Sequence, residues 1–304
     1  MRAPDAFAQR MADMRRPHFG VRSTDRTYGG FSLAFDMSVE TMWMGWFAGA
    51  EVAFPSEILA LAGPDVAQAL TEIGVTLWHV VPSLLSVVDR DVPSLRLINL
   101  GGGACPPMLV KRWWTPHRRL VNTYGPTEAT VTATWAELMP DRPVTIGRPL
   151  LGYKVWIVGP SMMPVRPGEE GELVIGGPGV GAGYVNRPGL TADQFVTLEF
   201  YGADGTREFV YRTGDLCRLD ANHDIEYLGR IDAQVKVRGY RVELSEIEAI
   251  LIEDDHVAQA AVSLHFDDHG EEVLVASIEH FHRRPIRICE AMREARTMIR
   301  SLHA

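Results

Sequence analysis

The sequence predicts an α/β fold with a β-rich lobe, and three observations carry that expectation. Short apolar runs beside turn residues, Leu95–Leu100 (LRLINL), Lys154–Val158 (KVWIV) and Glu172–Ile175 (ELVI), have the length and flanks of buried strands. Helical patterns lie between strands in the first half, the alternation expected of an α/β layer. From Thr145 the texture changes to short strands broken by many Gly and Pro turns, which marks the β-rich lobe.

Taken in order, the opening MRAPDAFAQRMADMRRPHFG is interrupted by Asp5, Arg10, Asp13, Arg15 and Arg16, so it does not read as a signal peptide. The most apolar stretch, Met42–Phe54 (MWMGWFAGAEVAF), is shorter than the roughly 20 residues of a membrane span and contains Glu51. It is expected to be a buried core helix running into a strand. Asp65–Ile73 is expected to be a helix, with Asp65 as N-cap after Pro64 and Val66, Leu70 and Ile73 on its apolar side. Pro107–Trp114 reads as another, with Pro in its first turn. Glu243–Glu253 (ELSEIEAILIE) is amphipathic, with Leu244, Ile247, Ile250 and Leu251 together. A strand-like Ala258–Leu264, the charged turn DDHGEE, a second strand VLVASIEH and a helix from about Ile288 follow. The expected boundaries are 1–230 for a large unit (1–144 its α/β part, 145–230 its β-rich lobe) and 231–304 for a small one, joined at GRIDAQ.

The chain has 304 residues, a net charge of −9 and 46% hydrophobic residues, ordinary for a globular protein able to bury a core. An acidic balance gives no general pull toward nucleic acid or anionic lipid, so neither is expected as a partner. Cys105, Cys217 and Cys289 lie far apart without CxxC spacing, which supports neither a disulfide framework nor a cysteine-based zinc site. A reducing, cytoplasmic compartment is the expectation.

Four segments could carry chemistry. Asn122-Thr123-Tyr124-Gly125-Pro126-Thr127-Glu128 follows an apolar approach. A Gly-Pro turn there projects its flanking side chains, Thr127 offering a hydroxyl to a phosphate oxygen and Glu128 a hard oxygen ligand suited to Mg²⁺. Alone, it is equally a capped turn with a solvated Glu. Gly171–Tyr184 (GELVIGGPGVGAGY) follows a strand, but YVNRP comes where a dinucleotide fold would open a helix, so that reading fails. The Gly loop of LGGGACPP, between strand and helix, is a better phosphate or base cradle by context, and a tight packing turn otherwise. In Tyr211-Arg212-Thr213-Gly214-Asp215-Leu216, a carboxylate after a Thr-Gly turn could accept two ribose hydroxyls or close an Asx-turn. The last, GRIDAQVKVRGYRVELSEIE from Gly229, includes an alternating segment that would ordinarily be a half-exposed strand with solvated charges.

In this order and spacing the four segments resemble the adenylate-forming (acyl- and aryl-CoA ligase, luciferase) superfamily, and most closely the adenylation domains of nonribosomal peptide synthetases. The family's NxYGPTE, GELxIxGxxVxxGY, YRTGDL and GRxDxQVKxRGxRxELxEIE motifs all read through, and Phe31–Val39 (FSLAFDMSV) is similar to its FDxS motif. The resemblance covers residues 20 to about 280. It implies a partial large N-terminal domain and a partial small α+β C-terminal domain of the adenylate-forming fold. It also implies an AMP-forming ligase with ATP and Mg²⁺ as cofactors, in which a substrate carboxylate attacks the α-phosphate of ATP and pyrophosphate leaves. The thiol of a phosphopantetheine arm on a peptidyl carrier protein then takes the acyl group as a thioester.

Carried over residue by residue, the resemblance implies that Thr127 binds phosphate and Glu128 holds Mg²⁺, as the catalytic pair. Tyr124 would stack on adenine beside Gly102, Gly103 and Ala104, with Asn122 also at the nucleotide. Asp215 would take the ribose hydroxyls, helped by Arg230. Asp232 matches the hinge of the family's mobile small domain, and Lys236 lies on the moving face. Asp36 matches the carboxylate that pairs with an amino acid's α-ammonium. The other pocket positions align with Met37, Glu40, Val80, Asn99, Gly101, Thr123, Val131 and Thr132. Glu40 is the only ionisable member besides Asp36, and a second buried carboxylate needs a cation. A basic amino acid such as lysine or ornithine is therefore the expected substrate, and the surrounding pattern resembles synthetases of the amino-acid-polymer type. The alternative is that Glu40 points away or binds water.

The chain also departs from the family. Only 35 residues precede Asp36, none forming the family's Ser/Thr/Gly-rich phosphate loop, and the end at SLHA shows no NGKxD-like lysine. Ala182 and Ser245 stand where Arg and Gly are usual. Truncation at both ends is the expectation, and the isolated chain is expected to adenylate weakly or not at all, since each lost phosphoryl donor typically costs about 2.7–4 kcal/mol in the barrier. Two alternatives follow: one half of a split enzyme whose partner chain supplies the loop and the lysine, or a non-catalytic remnant that binds nucleotide, amino acid or a carrier protein.

Overall fold

The computed structural model describes residues 19–54, 66–199, 207–231, 234–237, 240–252, 254, 257–266 and 272–280. The chain divides into two compact units, Met1–Ile231 and Asp232–Ala304.

The first unit holds a seven-stranded sheet built from β1 (Arg26–Tyr28), β2 (Glu51–Ala53), β3 (Leu77–Val80), β4 (Leu97–Leu100), β5 (Arg119–Tyr124), β6 (Thr134–Leu138) and β7 (Arg148–Pro149), in the order β2-β1-β3-β4-β5-β6-β7. The first five run parallel, and β6 and β7 are antiparallel. Central parallel strands are covered on both faces, so LWHV and LINL are buried at every position. On one face Trp78, Val80, Ile98, Leu100 and Leu120 pack with the helices at Val66–Ile73, Pro82–Val87 and Pro107–Trp113. On the other, Leu77, Leu97 and Val121 join a core that also takes in Ile157, Leu173, Ile175 and Tyr211 from the β-rich lobe.

That lobe is a five-stranded sheet of β8 (Lys154–Val158), β9 (Gly171–Gly176), β10 (Phe195–Glu199), β11 (Arg207–Leu219) and β12 (Ile225–Arg230). In the second unit β13 (Gln234–Val237) pairs with β14 (Tyr240–Glu243), and β15 (Val257–Phe266) with β16 (Glu272–His280). Leu244, Ile247 and Leu251 of the helix Leu244–Ile252 pack with Val242 and Val262.

Two expectations need correction. The Met37–Ala48 helix is not buried throughout: Met44 is inaccessible, but Trp46 keeps 50% of its surface, and Phe54 beyond the strand keeps 55%. An apolar composition reveals affinity for a core, while the 3.6-residue period decides which side reaches it. Thr213-Gly214 is not a turn. It lies inside the 13-residue β11 at an irregularity in the pairing with β9, where Gly214 takes φ +70° and the strand bulges. Asp65, Asp232, Cys289 and the helix expected from about Ile288 lie outside the described residues.

Candidate functional site

The candidate site gathers at the carboxyl ends of β3, β4 and β5, where open parallel sheets leave a crevice for ligands. The helix Met37–Ala48 lies over this region. Its buried stripe of Met37, Glu40, Thr41, Met44 and Gly45 follows the helical period, so Glu40 is carried inward with the apolar side chains. Gly49 ends the helix in the left-handed region at φ +71°, its N–H bonded to the carbonyls of Gly45 and Trp46.

Side-chain parity decides which strand residues meet Glu40. In the parallel register His79 pairs with Asn99, and Asn99 with Val121, so these residues share a face. Glu40, His79 and Asn99 have almost no accessible surface. Asn99 Nδ2 donates to Glu40 Oε1 at 2.9 Å and lies 3.0 Å from His79 Nδ1, while Thr132 Oγ1 donates to Glu40 Oε2. Thr123 Oγ1 sits 3.2 Å from Asn99 Oδ1 and 3.0 Å from the Leu100 carbonyl. An amide nitrogen only donates, so His79 Nδ1 accepts and the ring proton resides on Nε2, which has no partner among the described residues. Burial pushes the Glu40 carboxyl up to about 7; Thr132 opposes the rise, the charge of Asp36 adds to it, and Asn99 opposes it. Burial holds His79 down at about 3, as a neutral imidazole.

The pocket wall continues through Met37, Gly101 and Thr123. A Cβ on Gly101 would stand 2.9 Å from Thr123 Oγ1 and 3.0 Å from Met37 Cε, so any side chain there would collide with both. Gly125 allows a second close approach: its Cβ would come within 2.4 Å of the Val131 carbonyl oxygen. Facing it, Thr130 and Val131 both take positive φ, 58° and 68°. A β-branched residue rarely adopts that conformation, and here it turns Thr132 toward Glu40.

Asp36, immediately before the helix, is half-buried and accepts a hydrogen bond of 2.6 Å from Thr127 Oγ1. Beyond the Gly-Pro turn, Thr127–Ala129 forms one 3₁₀ turn. Tyr184 Oη donates to Glu128 Oε1 at 2.5 Å, and the Gly181 amide donates to the Glu128 carbonyl at 2.7 Å. A third cluster joins the two sheets: Asp215 Oδ2 accepts from Tyr124 Oη, and Arg230 Nη1 donates to Asp215 Oδ1 at 2.8 Å. Burial, with the charge of Asp215 next, raises the Tyr124 hydroxyl well above its ordinary value, so it serves as a donor. Among the described residues no group of three or more His, Cys, Asp or Glu could cage a metal ion. The Glu128 carboxylate is a hard oxygen donor that could hold a hydrated Mg²⁺.

The structure thus brings Asp36, Met37, Glu40, Asn99, Gly101, Thr123, Thr127 and Thr132 into one region, with Val131 behind Thr132 and Glu128 beside Thr127. Gly102, Gly103 and Ala104 form the loop after β4, where Gly102 takes φ +77°. Val80 does not join them. It is fully buried on the opposite face of the sheet, among Leu85 and Leu100, and its neighbour His79 stands at the pocket instead. Asn122 commits its amide to the Thr145 carbonyl at 2.8 Å. His79 and Tyr184 were not anticipated. A polar residue inside the otherwise apolar LWHVV strand was the available signal for the first; the second closes the Gly171–Tyr184 motif but carried no assigned role.

Known proteins resemble this chain in sequence and in fold. Residues 4–185 match the family described as AMP-binding enzyme. Delta-poly-L-ornithine synthetase of Acinetobacter baumannii (strain AB307-0294) is 44% identical over 259 residues, covering 85% of this chain and 19% of that protein. The adenylation domain AlmE of Vibrio cholerae, solved in complex with glycyl-adenosine-5'-phosphate, superposes with a TM-score of 0.79 at 25% identity, covering 90% of this chain and 53% of that one. An artificially fused adenylation–PCP di-domain, NpsA-ThdA from Klebsiella oxytoca, shares the fold with a TM-score of 0.77 at 23% identity, covering 95% of this chain and 54% of that one. The chain thus spans about a fifth of the ornithine synthetase and about half of each solved chain.

Proposed function

The chain belongs to the AMP-binding enzymes, as an adenylation domain of the nonribosomal peptide synthetase type, and on that premise we propose that it activates a basic amino acid, ornithine or lysine, as the aminoacyl-adenylate. The observation that carries this reading is the pair of carboxylates one helical turn apart, half-buried Asp36 and fully buried Glu40. An α-ammonium at Asp36 and a side-chain cation at Glu40 would satisfy both as carboxylates, whereas beside a neutral substrate the buried Glu40 would have to keep its proton. The name of the ornithine synthetase relative supports the same substrate class.

Asp36, assigned to the α-ammonium, and Thr127, assigned to phosphate, are in hydrogen-bond contact at 2.6 Å, which supports a shared amino-acid and phosphate site. With the α-ammonium taking over Asp36, the Thr127 hydroxyl is released from that carboxylate and is assigned to a phosphate oxygen near the attacking carboxylate. Tyr124 and Asp215 are assigned to the adenosine, with Arg230 fixing one Asp215 oxygen so that the carboxylate presents a set direction to the ribose. Glu128, oriented by Tyr184, is assigned to Mg²⁺, which when bound would neutralise charge on the phosphoryl oxygens. The phosphopantetheine thiol of a carrier protein is assigned as acceptor, Asp232 as the hinge between the two half-reactions, and residues 1–230 and 231–304 as the two domains.

Amino-acid-dependent exchange of labelled pyrophosphate into ATP tests the proposal. The panel is lysine, ornithine, glutamate and phenylalanine, with the chain alone and with a phosphate-loop segment of a relative supplied in trans. Little or no exchange is expected from the chain alone, and exchange confined to ornithine and lysine once the segment is supplied. Exchange led by phenylalanine or glutamate would refute it, and silence from the folded chain in every mixture would favour a non-catalytic binding role.

A further inference from the structure

We propose that His79 is a positioning residue for the substrate's side-chain cation, and that the cation is taken up in exchange for a proton on Glu40. This rests on the reading of the site as one for a basic amino acid.

The geometry follows from the two hydrogens of one amide. Asn99 Nδ2 reaches Glu40 Oε1 at 2.9 Å and His79 Nδ1 at 3.0 Å, so His79, together with Thr123 Oγ1 donating to Asn99 Oδ1 at 3.2 Å, holds the amide with its nitrogen toward the carboxylate. Reversing the amide would set Asn99 Oδ1 against Glu40, where like partial charges repel. His79 itself supplies no charge: its Nδ1 stands 3.6 Å from Glu40 Oε1 with the lone pair engaged by Asn99. The groups that face Glu40 are Asp36 from its own helix, His79 and Asn99 from β3 and β4, and Thr132 from the strained segment. Among the described residues no Lys or Arg pairs with Glu40. The network therefore holds a dry carboxyl group with two neutral donors, another anion nearby and no internal cation. Burial, the Asp36 charge and the lack of an internal cation favour the carboxylic acid form, whose O–H would donate to Thr132 Oγ1, against the two donors that favour the carboxylate. Docking then runs as Glu40 carboxylic acid plus substrate ammonium giving the carboxylate–ammonium pair, with the proton released to solvent. With burial pushing the group up to about 7, about half of the sites carry that proton at pH 7.

The test is calorimetric titration of the full chain with L-ornithine and with L-norvaline, its neutral counterpart, in phosphate and in Tris, whose different ionisation enthalpies report protons released. Wild type is expected to release close to one proton per ornithine at pH 6, about half at pH 7 and close to none at pH 8, and none with norvaline at any pH. His79→Phe removes the acceptor that anchors Asn99. It is expected to move the midpoint of proton release up by about one pH unit and, at pH 7, to weaken ornithine about fivefold more than norvaline. His79→Gln, which keeps an acceptor, is expected to restore both. A packing role would weaken the two ligands alike and leave the midpoint in place, overturning the inference while leaving the basic-substrate reading intact. Norvaline binding wild type as tightly as ornithine would overturn that reading first. A readout free of ligand comes from nitrogen-15 spectra of the histidines, with His79 assigned by its loss in His79→Phe. An uncharged ring protonated on Nε2 down to pH 5 is expected, and an Nδ1-protonated ring or an imidazolium would overturn the proposal.

Discussion

Removing Glu40 should expose the titration of His79 in the stability of the fold. Between pH 4.5 and 6.5 the unfolded chain carries an ionised Glu40 and a protonated His79, whereas the folded chain keeps Glu40 protonated and His79 neutral. Each state binds one proton on the pair, so the two contributions to the pH dependence cancel. In Glu40→Gln only His79 remains. Its folded value lies below its unfolded one, so it contributes stability that is present above pH 6.5 and is lost as the pH falls toward 3. Relative to wild type, the variant should therefore gain stability as the pH rises from 4.5 to 6.5, by up to about 1.36 kcal/mol per pH unit and about 2 kcal/mol in all. His79→Phe should do the opposite. Glu40 alone has its folded value raised, so its contribution is complete below pH 4.5 and is lost as the pH rises through about 7. Urea unfolding at pH 4.5, 5.5 and 6.5, read as each variant minus wild type, cancels every other group. Two flat difference curves would show that Glu40 and His79 ionise normally in the fold and would refute the buried network.

Gly125→Ala should cost at least about 2 kcal/mol of stability, because its Cβ would meet backbone atoms of Val131, Thr132 and Ala133 within 2.8 Å; thermal unfolding reads the loss. Tyr184→Phe removes the donor to Glu128, and the Mg²⁺ concentration for half-maximal exchange should rise about fivefold while the amino-acid KM stays constant. Asp215→Asn leaves Arg230, only 10% exposed at its side chain, without its counter-charge; a loss of about 3 kcal/mol in urea unfolding and weaker ATP binding by calorimetry are expected.

The parts of this architecture that were legible in the sequence are those carried by local signals. The strands at Lys154–Val158 and near Leu97 show as short apolar runs, and the Pro107–Trp113 helix carries Pro at its start. The Gly-Pro turn before Thr127 is written in adjacent residues, whereas the helix expected within Met42–Phe54 in fact begins at Met37, directly after Asp36. Contacts across the sheet were not legible. Choosing Val80 over His79 is an error of one residue, yet in a strand one residue turns a side chain to the opposite face. Tyr184 reaches Glu128 across 56 positions, and the β11 bulge at Gly214 depends on pairing with β9. Glu40 was identified as a buried carboxylate, but its hydrogen bonds from Thr132 and Asn99 arise only when a helix, a central strand and a strained loop converge.

The most direct test of the account uses two non-hydrolysable aminoacyl-adenylate analogues, the sulfamoyl adenosines of ornithine and of norvaline, because each occupies the amino-acid and nucleotide positions together. Calorimetric affinities of both would be measured at pH 8 for wild type and Glu40→Gln. The account predicts that wild type binds the ornithine analogue at least about tenfold more tightly and that the preference disappears in Glu40→Gln. Equal affinities in wild type, or a preference that survives the substitution, would contradict it.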